Sequence, residues 1–336
     1  MWVHGWGEHV PDTELTSAWL HEALGLERDL EWVRSRLGIE RRYTALTRDY
    51  LLETRNQDPR AAMALARERG CTPLELGAAA AQRALNAAGV DAADVGWVLA
   101  ACDTPLETLP SLAHRLAQVL GVGDGPHCDL NAGCASFARH MHLLGASDPA
   151  RVPAWILCVQ SSTYTLRTDY SPGCYDGYIW GDGAAAQLVS LVHPGPYRLE
   201  PLRFGSDPSG ASLIRIDSAG HFRQEGARVR EFSVRKTCEL LESMAEEKGL
   251  YAETTWTVVH QANRVMQESI LGHLGLPPER HLSNVGARGN TAAAGCPAAI
   301  AANLSRLAPG EPLLYAVLGA GLAWGGGYLQ RTPSDP

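Results

Sequence analysis

Two stretches of this chain follow one plan, and the repetition constrains the fold more than any single residue does. In the first, Trp97–Cys102 reads as a strand and Ser111–Gly121 as a helix. A short strand before Cys134 then leads into a small-residue helix ending near Ala146, and Trp155–Val159 reads as a further strand. In the second, the same order runs through the strand Trp256–His260, the helix Val265–Gly275, the segment Asn284–Thr291, an Ala-rich helix to about Leu304 and the strand Leu313–Leu318. Strands alternating with helices in this order imply β-α-β units and a largely parallel, buried sheet. The expected fold is therefore α/β, duplicated, with an N-terminal half over residues 1–190 and a C-terminal half over 191–336. Residues 17–37 and 73–88 read as helices. The charged stretch 44–72 reads as an inserted segment lying over one face, residues 196–232 as the join between halves, and 332–336 as a frayed tail.

The repeat gives three residues a shared address. Cys134 and Asn290 start equivalent helices, and His260 ends the strand equivalent to Trp97–Cys102. Ligands of α/β sheets bind beyond the carboxyl ends of strands, so all three stand where one site can form between the halves. A thiol at a helix start meets free N–H groups and the helix dipole, which favour the nucleophilic thiolate. Each residue also has a structural reading: a buried thiol behaves as a small hydrophobe, a strand-end histidine can be core, and Asn before Thr-Ala-Ala-Ala makes a good N-cap.

Composition excludes several classes. A formal net charge of −8 argues against nonspecific nucleic-acid binding. The eight cysteines form no CxxC and no paired metal-type spacing. No run approaches the roughly 18 apolar residues that span a bilayer, and the first residues lack a charged segment followed by an apolar one. These features lead to the expectation of a reduced cytoplasmic enzyme with no metal, no membrane and no nucleic-acid partner.

Five motifs in order resemble the β-ketoacyl-acyl carrier protein synthase III group of thiolase-fold condensing enzymes: Cys134 in its small-residue setting; His260-Gln261-Ala262-Asn263; Gly289-Asn290-Thr291; and the glycine-rich segments Trp180–Ala186 and Gly319–Gly325. Glu31-Trp32-Val33 with Arg36–Ile39, and Leu109-Pro110-Ser111, resemble further family segments. The resemblance implies a layered α/β/α/β/α thiolase fold and a homodimer. It implies that Cys134 carries an acyl group, that His260 and Asn290 stabilise a carbanion, and that the Cys134 and Ala320 N–H groups form an oxyanion hole. The usual residue at position 320 in the family is glycine. Trp32, Arg36, Arg167 and Arg264 are implied to receive the pantetheine arm or its carrier, Leu318 and Leu322 to line the acyl pocket, and Leu109 to line the acyl pocket of the partner subunit. No cofactor is implied beyond substrates on acyl carrier protein or CoA. Glu107 departs from the simple starter-unit enzymes, and its position suits a base acting across the dimer in enzymes that join two β-ketoacyl chains. The implied reaction is a Claisen condensation in polyketide or fatty-acid-derived specialised metabolism. The alternatives are starter-unit synthesis for fatty acids, ester or amide formation on the same fold, and a non-catalytic partner subunit.

Overall fold

The computed structural model describes residues 1–333. Its main sheet has nine strands: β1 (Trp2–His9), β2 (Trp97–Ala101), β3 (Cys128–Asp129), β4 (Ile156–Thr163), β5 (Asp182–Ser190), β6 (Tyr197–Ser206), β7 (Trp256–Val259), β8 (Pro312–Gly319) and β9 (Ala323–Arg331). Their order is β7-β8-β9-β6-β1-β5-β4-β2-β3. Read outward from the centre, β1-β5-β4-β2 and β6-β9-β8-β7 repeat one pattern, and antiparallel pairing of Trp2 and Val3 with Arg198 and Tyr197 joins the two runs edge to edge. Residues 197–206 therefore belong to the sheet rather than to a linker.

The expected parallel pairing holds for β2 with β3 and β4, and for β7 with β8. The other contacts are antiparallel, because the glycine-rich strands β5 and β9 turn back along β4 and β8. Strands β4 and β5 are buried along their whole length. This explains why they carry continuous small and apolar residues instead of an alternating pattern.

Six helices make three layers with the half-sheets. α1 (Pro73–Ala88) and α2 (Leu112–Leu120) cover one outer face, α4 (Gly226–Lys248) and α5 (Arg264–Leu274) the other, while α3 (Ser136–Gly145) and α6 (Gly295–Asn303) lie between. The middle position dictates composition: α6 reads Gly-Cys-Pro-Ala-Ala-Ile-Ala-Ala-Asn, small all round, as a helix pressed on several sides must be. Phe137 anchors α3, fully buried with its ring 5.0 Å from that of Tyr315. Burial of a ring this size contributes roughly 2–3 kcal/mol. α1 begins with a reciprocal cap between Thr72 and Glu75 and ends at Gly89, whose φ of 66° closes the last turn.

Two expectations change in detail. The helix expected over 17–37 is broken: Gly25 stops Ser17–Leu24 in a left-handed conformation, and Asp29 caps a new helix, Leu30–Arg36. Thr332 is bonded through its N–H to the Pro196 carbonyl, so fraying does not begin there; residues 334–336 of that tail lie outside the described residues. The 44–72 segment forms two short helices, Arg48–Thr54 and Pro59–Glu68. Between them the buried Asn56 amide donates to the carbonyls of Thr165 (3.0 Å) and Thr168 (2.8 Å), tying the segment to the turn that carries Tyr164.

Candidate active site

A cavity of about 430 Å³ opens at the junction of the half-sheets and is lined by Cys134, His260 and Asn290 together. Each is set there by local geometry. Cys134 follows β3 and precedes α3, in a segment fixed by the Asn131 side chain accepting from the Cys102 N–H (2.7 Å) and by His140 bonded to the Leu130 carbonyl (3.0 Å). His260 continues β7, its N–H donating to Ala316 on β8 (2.9 Å). Asn290 bridges Trp180, and its side-chain oxygen accepts from the Ala292 N–H (2.9 Å), where the backbone turns at φ 49°. That bond fixes the amide and leaves Nδ2 to donate elsewhere. The capping tendency of Asn and its place at the cavity wall are thus one arrangement.

Two backbone loops meet at the sulfur. A methyl placed on Gly319 would lie 2.4 Å from the Ala132 carbonyl oxygen and 2.7 Å from the Cys134 nitrogen; one on Gly133 would lie 2.6 Å from the Ala320 nitrogen. Only glycine allows this approach, which brings the Cys134 and Ala320 nitrogens to neighbouring loops in direct contact. Ala320 lines the cavity, as do Leu318 and Leu322.

The thiol differs from the sequence expectation. Helix α3 starts at Ser136, two residues beyond Cys134, and protein surrounds the sulfur although a path from the cavity reaches it. Burial pushes the thiol well above the usual range and nearby Asp103 adds to this, against a smaller lowering from the residue's own N–H. The resting group is a thiol rather than a thiolate. Iodoacetamide alkylation of Cys134, followed by peptide mass spectrometry, is expected to accelerate with pH beyond pH 9; a plateau by pH 7 would restore the thiolate. Burial acts on His260 in the opposite sense, lowering it to about 4, so the imidazole is neutral at physiological pH.

At the cavity mouth Trp32 and Arg36 are present as expected. Sequence reasoning missed their neighbours: the Arg28 guanidinium lies 5.2 Å from the Trp32 ring and 5.6 Å from that of Tyr175, a residue that also lines the mouth. Nothing in the spacing of Arg28 and Tyr175 marks them, because a long loop brings them together. The inner wall is aromatic, with Tyr164 stacked on Trp180 at 4.3 Å and Phe222 edge-on to both.

Two expected cavity residues, Arg167 and Arg264, lie elsewhere, and the loop with Glu107 and Leu109, expected to reach the partner subunit's pocket, lies outside this one. Arg167 does not line the cavity; it donates to the Pro105 carbonyl (3.3 Å). Arg264 is half-buried outside the cavity, 3.5 Å from Glu268 and 4.0 Å from Glu40. Leu109 is 82% exposed and reaches no acyl pocket within its own chain. Glu107 is also outside the cavity, where one carboxylate oxygen accepts from Arg67 (3.0 Å) and the other from Arg115. Within this chain both Glu107 oxygens are therefore held by guanidinium groups. Among the described residues no cluster of His, Cys, Asp and Glu suits a metal ion, and no helix is long and apolar enough to cross a membrane.

A thiolase fold with a cysteine, a neutral histidine and an amide in one cavity defines an acyl-transferring condensing enzyme. The 3-oxoacyl-[acyl-carrier-protein] synthase III C-terminal family model matches residues 245–331. β-Ketoacyl-[acyl-carrier-protein] synthase III 3 of Streptomyces coelicolor is 30% identical over 351 residues, covering 99% of this chain and 97% of that protein. The crystal structure of 3-oxoacyl-(acyl carrier protein) synthase III from Pseudomonas aeruginosa superposes with a TM-score of 0.81 at 26% identity, covering 99% of each chain. The priming β-ketosynthase of a polyketide biosynthetic pathway gives 0.80 at 25% identity, covering 100% of this chain and 97% of that one. This chain belongs to the β-ketoacyl-acyl carrier protein synthase III family, whose members are acyltransferases that condense acyl thioesters.

Proposed function

We propose that this chain condenses one short acyl group, held on Cys134, with a malonyl-type thioester, as a priming ketosynthase of polyketide or fatty-acid-derived specialised metabolism. The observation that carries the reading is the convergence of Cys134, His260 and Asn290 on one cavity. In the first half-reaction the Cys134 sulfur attacks the acyl carbonyl, the carbonyl oxygen faces the Cys134 and Ala320 N–H groups, and the pantetheine thiol leaves with the proton that Cys134 loses. In the second, the malonyl thioester loses carbon dioxide and its carbanion attacks the acyl carbon, forming the carbon–carbon bond as the bond to sulfur breaks. His260 with its proton on Nε2, and Asn290 Nδ2, donate to the enolate oxygen; a neutral donor pair does this without protonating the carbon nucleophile. The group requires no cofactor beyond the pantetheine carried by its substrates.

Size supports a single short acyl chain over the joining of two long ones. The cavity of about 430 Å³ must hold the pantetheine arm as well as the acyl chain, and Tyr164, Trp180 and Phe222 line its wall. Incubation with butyryl-CoA and malonyl-acyl carrier protein is expected to give a β-ketoacyl thioester with release of carbon dioxide. An ester or amide formed from the acyl group without carbon dioxide release would contradict the reading.

A further inference from the structure

Asn290 and His260 are fastened to different halves of the molecule. The Asn290 N–H donates to Ile179 (2.8 Å) and its carbonyl accepts from Gly181 (3.1 Å), both in the N-terminal half, whereas His260 is held on β8 through Ala316. Two donors serve one oxygen only if they converge on it, so their relative placement matters. Gln261, the residue after His260, connects them. It is fully buried and does not line the cavity. Its Nε2 donates to the Val259 carbonyl (2.7 Å), and its Oε1 accepts from the Asn284 N–H (3.0 Å) and the Ser283 hydroxyl (3.1 Å). A carbonyl at one end and a backbone N–H at the other fix the orientation of the amide. The Ser283 hydroxyl also lies 2.7 Å from Gln267 Oε1, and Gln267 Nε2 is 3.4 Å from the His260 carbonyl, so the link closes on His260 itself. From Asn284 the chain enters the short helix Val285–Arg288, whose Arg288 N–H returns to the Asn284 carbonyl (2.9 Å), and reaches Asn290 two residues later. The packing has no slack: a methyl on Gly295 would lie 2.9 Å from the Gln261 Cβ. Upstream, the Leu282 N–H donates to the Thr257 carbonyl on β7 (2.8 Å), so loss of the Gln261 acceptor displaces this segment without freeing it.

Resting on the condensation reading above, we propose that Gln261 is a positioning residue for the second half-reaction, setting the Asn290 amide against His260 without touching substrate. A misplacement of about 1 Å in a reacting geometry costs up to roughly 10²-fold in rate. Acylation draws on neither side chain in the proposed mechanism, so the effect is confined to condensation.

Gln261→Met keeps the side-chain volume and removes both polar ends. Acylation of Cys134 by butyryl-CoA, followed by intact-protein mass spectrometry, is expected to stay within about twofold of wild type, while condensation with malonyl-acyl carrier protein slows about tenfold or more. In an Asn290→Ala background the same substitution is expected to cost less than about threefold, because a residue acting through Asn290 has nothing left to position. Ser283→Ala, at an exposed position, removes one donor from the Gln261 oxygen; it is expected to slow condensation about threefold with acylation unchanged, and it decides the matter if Gln261→Met does not fold. A merely structural role moves both half-reactions together, and that result overturns the proposal. Unchanged condensation in the folded variants overturns it as well, as does a full loss of about tenfold in the Asn290→Ala background. If Asn290→Ala alone condenses at the wild-type rate, the reading of Asn290 as an enolate donor fails instead, and the two failures are distinct.

Discussion

His260→Ala and Asn290→Ala are each expected to leave the Cys134 acyl-enzyme forming while condensation falls by roughly 10²–10³-fold, the loss that follows removal of one preorganised donor to a developing oxyanion. The expectation rests on where the groups stand. Both line the cavity with Cys134, while on the proposed mechanism the first half-reaction draws on the backbone nitrogens of Cys134 and Ala320, on the two loops that meet there. Neither side chain is needed there. In the second half-reaction the new charge sits on the incoming thioester, and the fixed Asn290 amide and the neutral imidazole are the available side-chain donors. Their removal is not additive, because either alone leaves the enolate half-supported. Asn290→Asp tests the sign of the interaction: a carboxylate of the same shape accepts where the amide donates, and its condensation rate should fall below that of the alanine variant. Cys134→Ala abolishes both steps.

Asp182→Ala is expected to cost about 3–5 kcal/mol. Its fully buried carboxyl accepts from the Ala45 N–H (2.8 Å), from the Thr165 N–H (3.0 Å) and from the Thr165 hydroxyl. Truncation leaves the Ala45 and Thr165 N–H groups without partners, at roughly 1–3 kcal/mol each before relaxation, while the Thr165 hydroxyl keeps the Thr44 hydroxyl at 2.7 Å. It also releases the Thr165 turn and, with it, Tyr164. The same group carries a pH signature. Burial raises the carboxyl to about 7 from an ordinary 3.8, its three hydrogen bonds offsetting this only in part. Between those values the folded chain keeps a proton that the unfolded chain has lost. Its contribution to stability is therefore complete below pH 3.8 and is lost as pH rises toward 7, at about 1.4 kcal/mol per pH unit. His140, His260 and His281, each lowered to about 4 by burial, act with the opposite slope between about 4 and 6.5. They are common to wild type and Asp182→Asn, so they cancel in the difference. Urea unfolding of the two proteins at pH 5, 6 and 7 should give a difference that shifts against the wild type as pH rises; parallel curves would contradict the assignment.

The meeting of Cys134, His260 and Asn290 at one cavity was legible because each is tied to local pattern. Cys134 and Asn290 follow from the repeat, His260 from its place at a strand end, and the glycines around 319 from a motif whose close approach the structure explains. Strand direction was not legible. Alternation of strand and helix suggested a largely parallel sheet, but β9 returns along β8 after three residues, and only the fold reveals that reversal. The charge state of Cys134 was misread for a related reason: sequence gives the nearby helix start, whereas desolvation by the whole surroundings decides the proton. Arg28 with Tyr175 was invisible as a pair, since it joins residues far apart in the chain with no motif around either. Glu107 drew attention by its type and position, and its ion pairs with Arg67 and Arg115 join residues that composition could not pair.

The most direct measurement is the mass of the protein after butyryl-CoA is added, before and after malonyl-acyl carrier protein. One acyl group per chain should appear on the Cys134 peptide, disappear from wild type on malonyl addition, and persist in His260→Ala and Asn290→Ala. An acyl group on any other residue, or its prompt discharge in both variants, would contradict the account.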